Sequence, residues 1–327
     1  MSDGGTPREG LSVDMSAQVD RPSGRRRGDR VVGAGRQTQE VVDQAMAVAR
    51  SDRPVLLVGP QGAGKEHLCR AIHDWSSRKA QPFVVVSCTA VNPALLGREI
   101  LGCSASAHPN LSEEYAGGLA RAAGGALLID AIDQLPRVVC DALIKAITDG
   151  RFSREGDGAT QPLRARILAT VLKAPERSPF GDMPHHVIRL GPLSERREDI
   201  LALAAHFLRI HADELGVRPV GFTADARNAL MSEPWPGNVR ELSERVRQAI
   251  RLAGDGAISA EALLLAGEGD EVPSFKDAKR AFETRYVRGL LRRCGGNISR
   301  AARLAKKDRK DFYDVIRRTG VDPADYR

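Results

Sequence analysis

Residues 59–66 read GPQGAGKE, behind the apolar run VLLV and ahead of KEHLCRAIHDW, whose apolar residues recur at helical spacing. Glycines closing on a lysine suit one ligand above others, phosphate. Gly59, Gly62 and Gly64 let backbone N–H groups, with that of Ala63, turn toward an anion. The helix start adds positive potential, and Lys65 reaches the outer phosphates. The general form of this loop ends in Ser or Thr, whose hydroxyl ligates magnesium; here the position is Glu66. A second candidate lies in residues 124–136, GGALLIDAIDQLP, where an apolar run delivers Asp130. That arrangement resembles the strand carrying the magnesium-side acid of a nucleotide hydrolase. The next residue is usually a glutamate that activates the attacking water, and here it is Ala131. ATP or ADP is the expected ligand, with Asp130 as the Mg2+ ligand.

A different chemistry is written at the other end. Between Lys276 and Gly320 there are 15 Lys and Arg against 5 Asp and Glu, a net of +10 in a chain of net +7, which leaves −3 elsewhere. Basic charge gathered in one terminal segment points to a polyanion partner, nucleic acid above others, and the helix pair within that segment makes double-stranded DNA the expected one. Residues 297–320, NISRAARLAKKDRKDFYDVIRRTG, read as two short helices with a tight turn. Ala301, Ala302 and Leu304 supply the apolar face of the first. Phe312, Val315 and Ile316 bury one side of the second, which leaves Arg309, Lys310, Tyr313 and Arg317 outward. In a helix-turn-helix that second helix enters the major groove, where Arg and Lys reach phosphates or guanine edges. Asp311 and Asp314 weaken nonspecific attraction and can accept from cytosine amino groups. Upstream, Phe275, Ala278, Phe282, Tyr286 and Leu290 recur at helical spacing and read as a core stripe. The scattered cysteines (Cys69, Cys88, Cys103, Cys140 and Cys294) form no CxxC pair and read as reduced thiols. His108, alone in a loop, reads as polar surface and not as a metal ligand.

These groups need elements to position them. From residue 31 onward, helical stretches alternate with PVLLVG, PFVVVSC, ALLIDAID, LRARILATV and HHVIRL, five runs of buried-strand type. That pattern predicts an α/β domain with a mostly parallel sheet over 31–194. Residues 195–266 read as all-helical, 267–274 as an acidic linker, and 275–327 as an all-α basic domain. Residues 1–30 have no apolar signal core and read as a disordered leader with no sensory domain ahead of residue 31. No apolar run approaches the ~20 residues that cross a bilayer, so a cytoplasmic protein without membrane contact is expected.

The blocks GPQGAGKE, LLGREILG, GGALLIDAIDQLP, PLSERREDI and WPGNVREL follow the order and spacing of the sigma-54-dependent activators, the NtrC-like bacterial enhancer-binding proteins. The chain resembles that family over residues 31–266, and its terminal segment resembles the family's Fis-type DNA-binding domain. The resemblance implies an AAA+ P-loop domain with a helical lid over 195–266. It also implies ring formation, contact with sigma-54 polymerase through a surface loop, and remodelling driven by ATP. Glu66 is the family's own variant of the loop ending. Arg240 in WPGNVREL matches the lid arginine that touches nucleotide in the family.

The resemblance fails at specific residues. Ala131 replaces the catalytic glutamate, and a methyl group neither accepts a proton nor orients water. Asp133 is displaced along the chain and is not expected to substitute. Leu172 stands where the family carries a polar Asn that reads the γ-phosphate. The stretch GDMPHHVI lacks the pair of trans-acting arginines, and Arg189 in the next strand is a poor replacement. The contact motif G-A-F-T-G-A aligns with SAHPNL, Ser106 to Leu111, so no sigma-54 contact is expected there. The expectation is a DNA-binding transcription regulator that binds nucleotide, hydrolyses it poorly, and forms homo-oligomers (a dimer through the C-terminal domain, and a possible ring). Its rivals are an active ATP-hydrolysing activator and a nucleotide-gated subunit within an AAA+ ring.

Overall fold

The computed structural model describes residues 31–107, 114–266 and 275–326, with side chains in the last stretch from Glu283 on, Arg285 excepted. The leader 1–30, positions 108–111 of SAHPNL with His108, the linker 267–274, and the side chains of Phe275, Ala278 and Phe282 lie outside the described residues. The chain divides into two compact units between Ala202 and Leu203.

In the first unit the five apolar runs are strands: β1 (Val55–Val58), β2 (Phe83–Ser87), β3 (Ala126–Asp130), β6 (Arg166–Val171) and β7 (His186–Arg189). They pair in parallel in the order β2-β3-β6-β1-β7. Successive side chains of a strand point to opposite faces, so a sheet covered on both sides requires unbroken apolar sequence. Val55 and Leu57 of β1 and Leu128 of β3 join one core with Leu68, Cys69 and Ile72. Leu56, Val58, Leu127 and Ile129 join the other, with Leu96, Ile100, Leu143 and Phe180. The helices α1 (Arg36–Val48) and α2 (Lys65–Trp75) cover the first face. The second is covered by α3 (Leu96–Leu101), α4 (Gly118–Arg121) and α5 (Arg137–Asp149). Gly150, at φ 65°, ends α5 and turns the chain into an antiparallel hairpin that the apolar pattern did not signal, β4 (Arg151–Ser153) with β5 (Thr160–Pro162).

The helical region contains α6 (Asp199–Leu215), α7 (Ala224–Ser232), α8 (Asn238–Ala253) and α9 (Ala260–Leu265). It also holds one departure from the all-helical expectation. Two-residue strands β8 (Gly221–Phe222) and β9 (Ala257–Ile258) pair in parallel, tying the approaches to α7 and α9. WPGN is the turn between α7 and α8. Trp235 is fully buried, its indole N–H donates to the Leu230 carbonyl at 2.9 Å, and the Arg245 guanidinium lies 4.7 Å from its ring centroid. Glu241 accepts from the Gly237 N–H at 2.8 Å and pairs with Arg245.

The terminal helices are α10 (Phe275–Arg293), α11 (Ile298–Leu304) and α12 (Arg309–Thr319). Asn297 and Asp308 cap the last two, accepting from Arg300 N at 3.0 Å and Lys310 N at 2.7 Å. Val287, Leu290, Leu291, Ala301, Phe312 and Ile316 form their shared core, and Glu283 pairs with Arg318 at 2.7 Å. Two expected core residues are exposed: Leu304 at 55% and Tyr286 at 44%. With roughly 100° between successive helical residues, Leu304 points away from the Ala301/Ala305 side and Tyr286 lies one step off Val287.

Candidate nucleotide-binding site

The glycine-rich loop is rooted between strands. Gly59 N–H donates to the Val171 carbonyl at 3.2 Å, and Leu190 N–H donates to the Val58 carbonyl at 2.8 Å. A Cβ on Gly59 would collide with the Leu190 carbonyl, so this position admits glycine alone. Gly62 and Gly64 hold φ of 73° and 101°, the region that disfavours other residues. A Cβ at Gly64 would meet nothing within 4 Å, so the space over the start of α2 is open. Lys65 is buried, and its ammonium donates to the carbonyls of Gly59 at 2.7 Å and Pro60 at 3.0 Å. The cation is therefore carried by the loop itself. Glu66 is exposed and stands 3.8 Å from Arg70, a surface pair that contributes little.

Asp130 ends β3 on the face that carries α2. The β3–β6 register brings it beside Thr170, whose hydroxyl donates to Asp130 Oδ1 at 2.5 Å and accepts from Ala131 N–H at 3.1 Å. Thr170 is buried and Asp130 half-buried, so the carboxylate is held in one orientation yet reachable. Burial, and then the Asp130 charge, push the thiol of Cys69 far up; the same two causes push Cys88 up to about 12. Both stay neutral and are no nucleophiles. Among the described residues no group of three His, Cys, Asp or Glu could cage a metal. A lone oriented carboxylate fits a cation that arrives with phosphate oxygens and water, as Mg2+ does.

Ala131 occupies the left-handed region at φ 56°, ψ 53°, and Asp133 lies exposed in the short 3-10 turn that follows. Leu172 is 51% exposed just past β6. The segment without arginines folds on itself: the His185 ring contacts Ser178 Oγ at 3.1 Å, the Met183 carbonyl at 2.8 Å and the Phe180 ring. Arg189 is exposed at the end of β7.

Thr170 and Arg196 are the residues that sequence reasoning missed. Thr170 was hidden in an apolar strand. Arg196 stands in the charged run SERRED, which does not by itself mark a buried residue, yet it is buried and donates through Nη2 to the Ala63 carbonyl of the loop at 2.7 Å. In the second unit Arg240 is exposed on α8. Arg309, Lys310, Tyr313 and Arg317 are all exposed on α12, whereas Phe312 and Ile316 are buried.

The Sigma-54 interaction domain family matches residues 31–178, and the AAA+ ATPase lid domain family matches 194–273. The transcriptional regulatory protein GlrR of Escherichia coli (strain K12) is 32% identical over 299 residues, 88% of this chain and 67% of the relative. The nitrogen assimilation regulatory protein NtrX of Azorhizobium caulinodans is 31% identical over 317 residues, 89% of this chain and 69% of its own length. The chain thus spans about two thirds of these relatives. Among solved structures, NtrX from Brucella abortus in complex with ADP superposes with a TM-score of 0.65 at 26% identity, covering 89% of this chain and 70% of that one. The form in complex with ATP also gives 0.65, at 27% identity. With its parallel-sheet P-loop unit, its lid helices and these relatives, the chain belongs to the sigma-54-dependent transcriptional regulators.

Proposed function

We propose that this protein is a DNA-binding transcription regulator whose AAA+ domain binds ATP or ADP and hydrolyses ATP poorly. The observation that carries it is Ala131, a methyl group beside a retained, oriented Asp130 and an intact phosphate loop. Loss of a general base lowers a rate by roughly 10²–10⁴. Arginine fingers are worth about 10³–10⁵ in phosphoryl transfer, and their segment carries none. Gly59, Gly62, Ala63, Gly64 and Lys65 take the phosphates, Glu66 lies beside them on α2, and Asp130 holds Mg2+. That ion supplies charge neutralisation at the phosphates. Arg240, exposed on the lid, senses nucleotide without its hydrolysis.

The terminal helices act as a Fis-like helix-turn-helix, with α12 in the major groove. In this reading the AAA+ domain covers 31–194, the lid 195–266, and the DNA-binding domain 275–327, which pairs as a dimer; the nucleotide domains add a possible ring. SAHPNL makes no productive contact with sigma-54 polymerase, and the protein works in the cytoplasm. The test is steady-state ATP hydrolysis beside an ADP titration, on wild type and Lys65→Ala. ADP bound by wild type and lost in the variant, with at most trace hydrolysis, is the expected result. Turnover of ~1 s⁻¹, within the usual enzyme range, would overturn the proposal.

A further inference from the structure

Asp199, the first residue of α6, is fully buried and joins three segments. Its Oδ1 accepts from the backbone N–H groups of Ala34 and Gly35, both at 2.7 Å, and its Oδ2 accepts from the Thr38 hydroxyl. The Arg196 guanidinium stands 3.8 Å from Oδ2, and its Nη2 donates to the Ala63 carbonyl. Residues 34–38, Asp199, Arg196 and the phosphate loop are therefore one continuous polar chain inside the domain. Asp199, Arg196, Gly35 and Thr38 are buried while Ala34 is exposed, and a buried charge that loses its partner is costly, so the chain favours one arrangement. Arg196 Nε is buried without a partner, which leaves the guanidinium oriented by Ala63 and Asp199.

The Ala63 carbonyl and the Gly64 N–H belong to one planar trans peptide and point in opposite directions. By holding that oxygen, Arg196 sets the direction of an N–H offered to phosphate. We infer that Arg196 is a positioning residue for phosphate binding and that, through Asp199, it links occupancy of the loop to the seating of residues 34–38. The inference rests on the nucleotide-binding reading. Linkage is reciprocal: whatever displaces residues 34–38 weakens phosphate binding, and bound phosphate holds those residues down. The nucleotide state is thereby communicated to the segment through which the chain enters the domain.

Inorganic pyrophosphate is the probe, because it fills the loop without a base or sugar that could touch residues 34–38 directly. Hydrogen exchange of the Ala34 and Gly35 amides is measured on the full chain with and without it. Saturating pyrophosphate should slow both amides at least about tenfold in wild type and hardly at all in Arg196→Gln, since the lost bond involves a charged group. Thr38→Val, altered at the far end of the chain, should weaken pyrophosphate binding several-fold, and it decides the matter if Arg196→Gln does not fold. The inference is overturned if bound pyrophosphate leaves the two amides unchanged in wild type. It is equally overturned if folded Arg196→Gln keeps the protection, or if Thr38→Val binds pyrophosphate like wild type. If wild type binds neither ADP nor pyrophosphate, the nucleotide reading falls with it.

Discussion

Thr170→Val removes one oxygen and keeps the shape of a buried side chain. Two hydrogen bonds depend on that oxygen: the 2.5 Å bond to Asp130 Oδ1 and the 3.1 Å bond from Ala131 N–H. A bond to an ionised group contributes about 1.5–3 kcal/mol, and a buried N–H left unpaired costs about 1–3 kcal/mol. Asp130 and Ala131 are only half-buried, so water replaces part of both, and the low ends apply. The expected loss is about 2–3 kcal/mol, which for a domain of this size lowers its melting temperature by roughly 4–12 °C. Thr170→Ser restores the hydroxyl and should recover at least half of the difference, despite the missing methyl. Scanning calorimetry of the full chain reads both variants. A second readout is function: with Asp130 free to rotate, Mg2+ should strengthen ATP binding less than it does in wild type. A melting temperature within 1 °C of wild type, or a Ser variant as damaged as the Val variant, would refute the orienting role given to Thr170.

Ala131→Glu should bind ATP normally and still turn over far below ~1 s⁻¹, because the finger segment and Leu172 are unchanged; single-turnover hydrolysis measures this. On duplex DNA, the full chain should occupy paired half-sites about one helical turn, roughly 34 Å, apart. Arg309→Ala and Arg317→Ala should each weaken binding and lower the salt slope by about one unit, while Asp314→Ala should tighten nonspecific binding, all by salt-titrated gel shift. Burial pulls the His73 pKa below its ordinary 6.5, so the folded chain refuses a proton that the unfolded chain accepts. Its share of stability is complete above pH ~6.5 and is lost as the pH falls from there through the lower folded value. Urea unfolding from pH 7.5 to 5 should fall less steeply for His73→Gln than for wild type.

The sequence by itself determined the individual strands and the glycine-rich loop, because both are local. A strand buried on both faces requires a nearly unbroken apolar run, which VLLV, ALLID and RILATV supply, whereas the edge strands FVVVS and HVIR are only partly buried. Gly59 and Gly64 are equally legible, since close approach to Leu190 in one case and positive φ in the other exclude a side chain. The outward positions of Lys310, Tyr313 and Arg317 followed from helical spacing, while Arg309, close to Ile316 around the helix, is exposed at its first residue. Tertiary structure decided whatever depends on residues distant in sequence. Thr170 serves Asp130 from forty positions away because β3 and β6 lie in register, and Arg196 holds Ala63 across 133 positions. Leu304 shows the complementary limit: an apolar residue at a helix end is buried only if a neighbour comes to cover it, and helical spacing alone does not say which flank that neighbour takes.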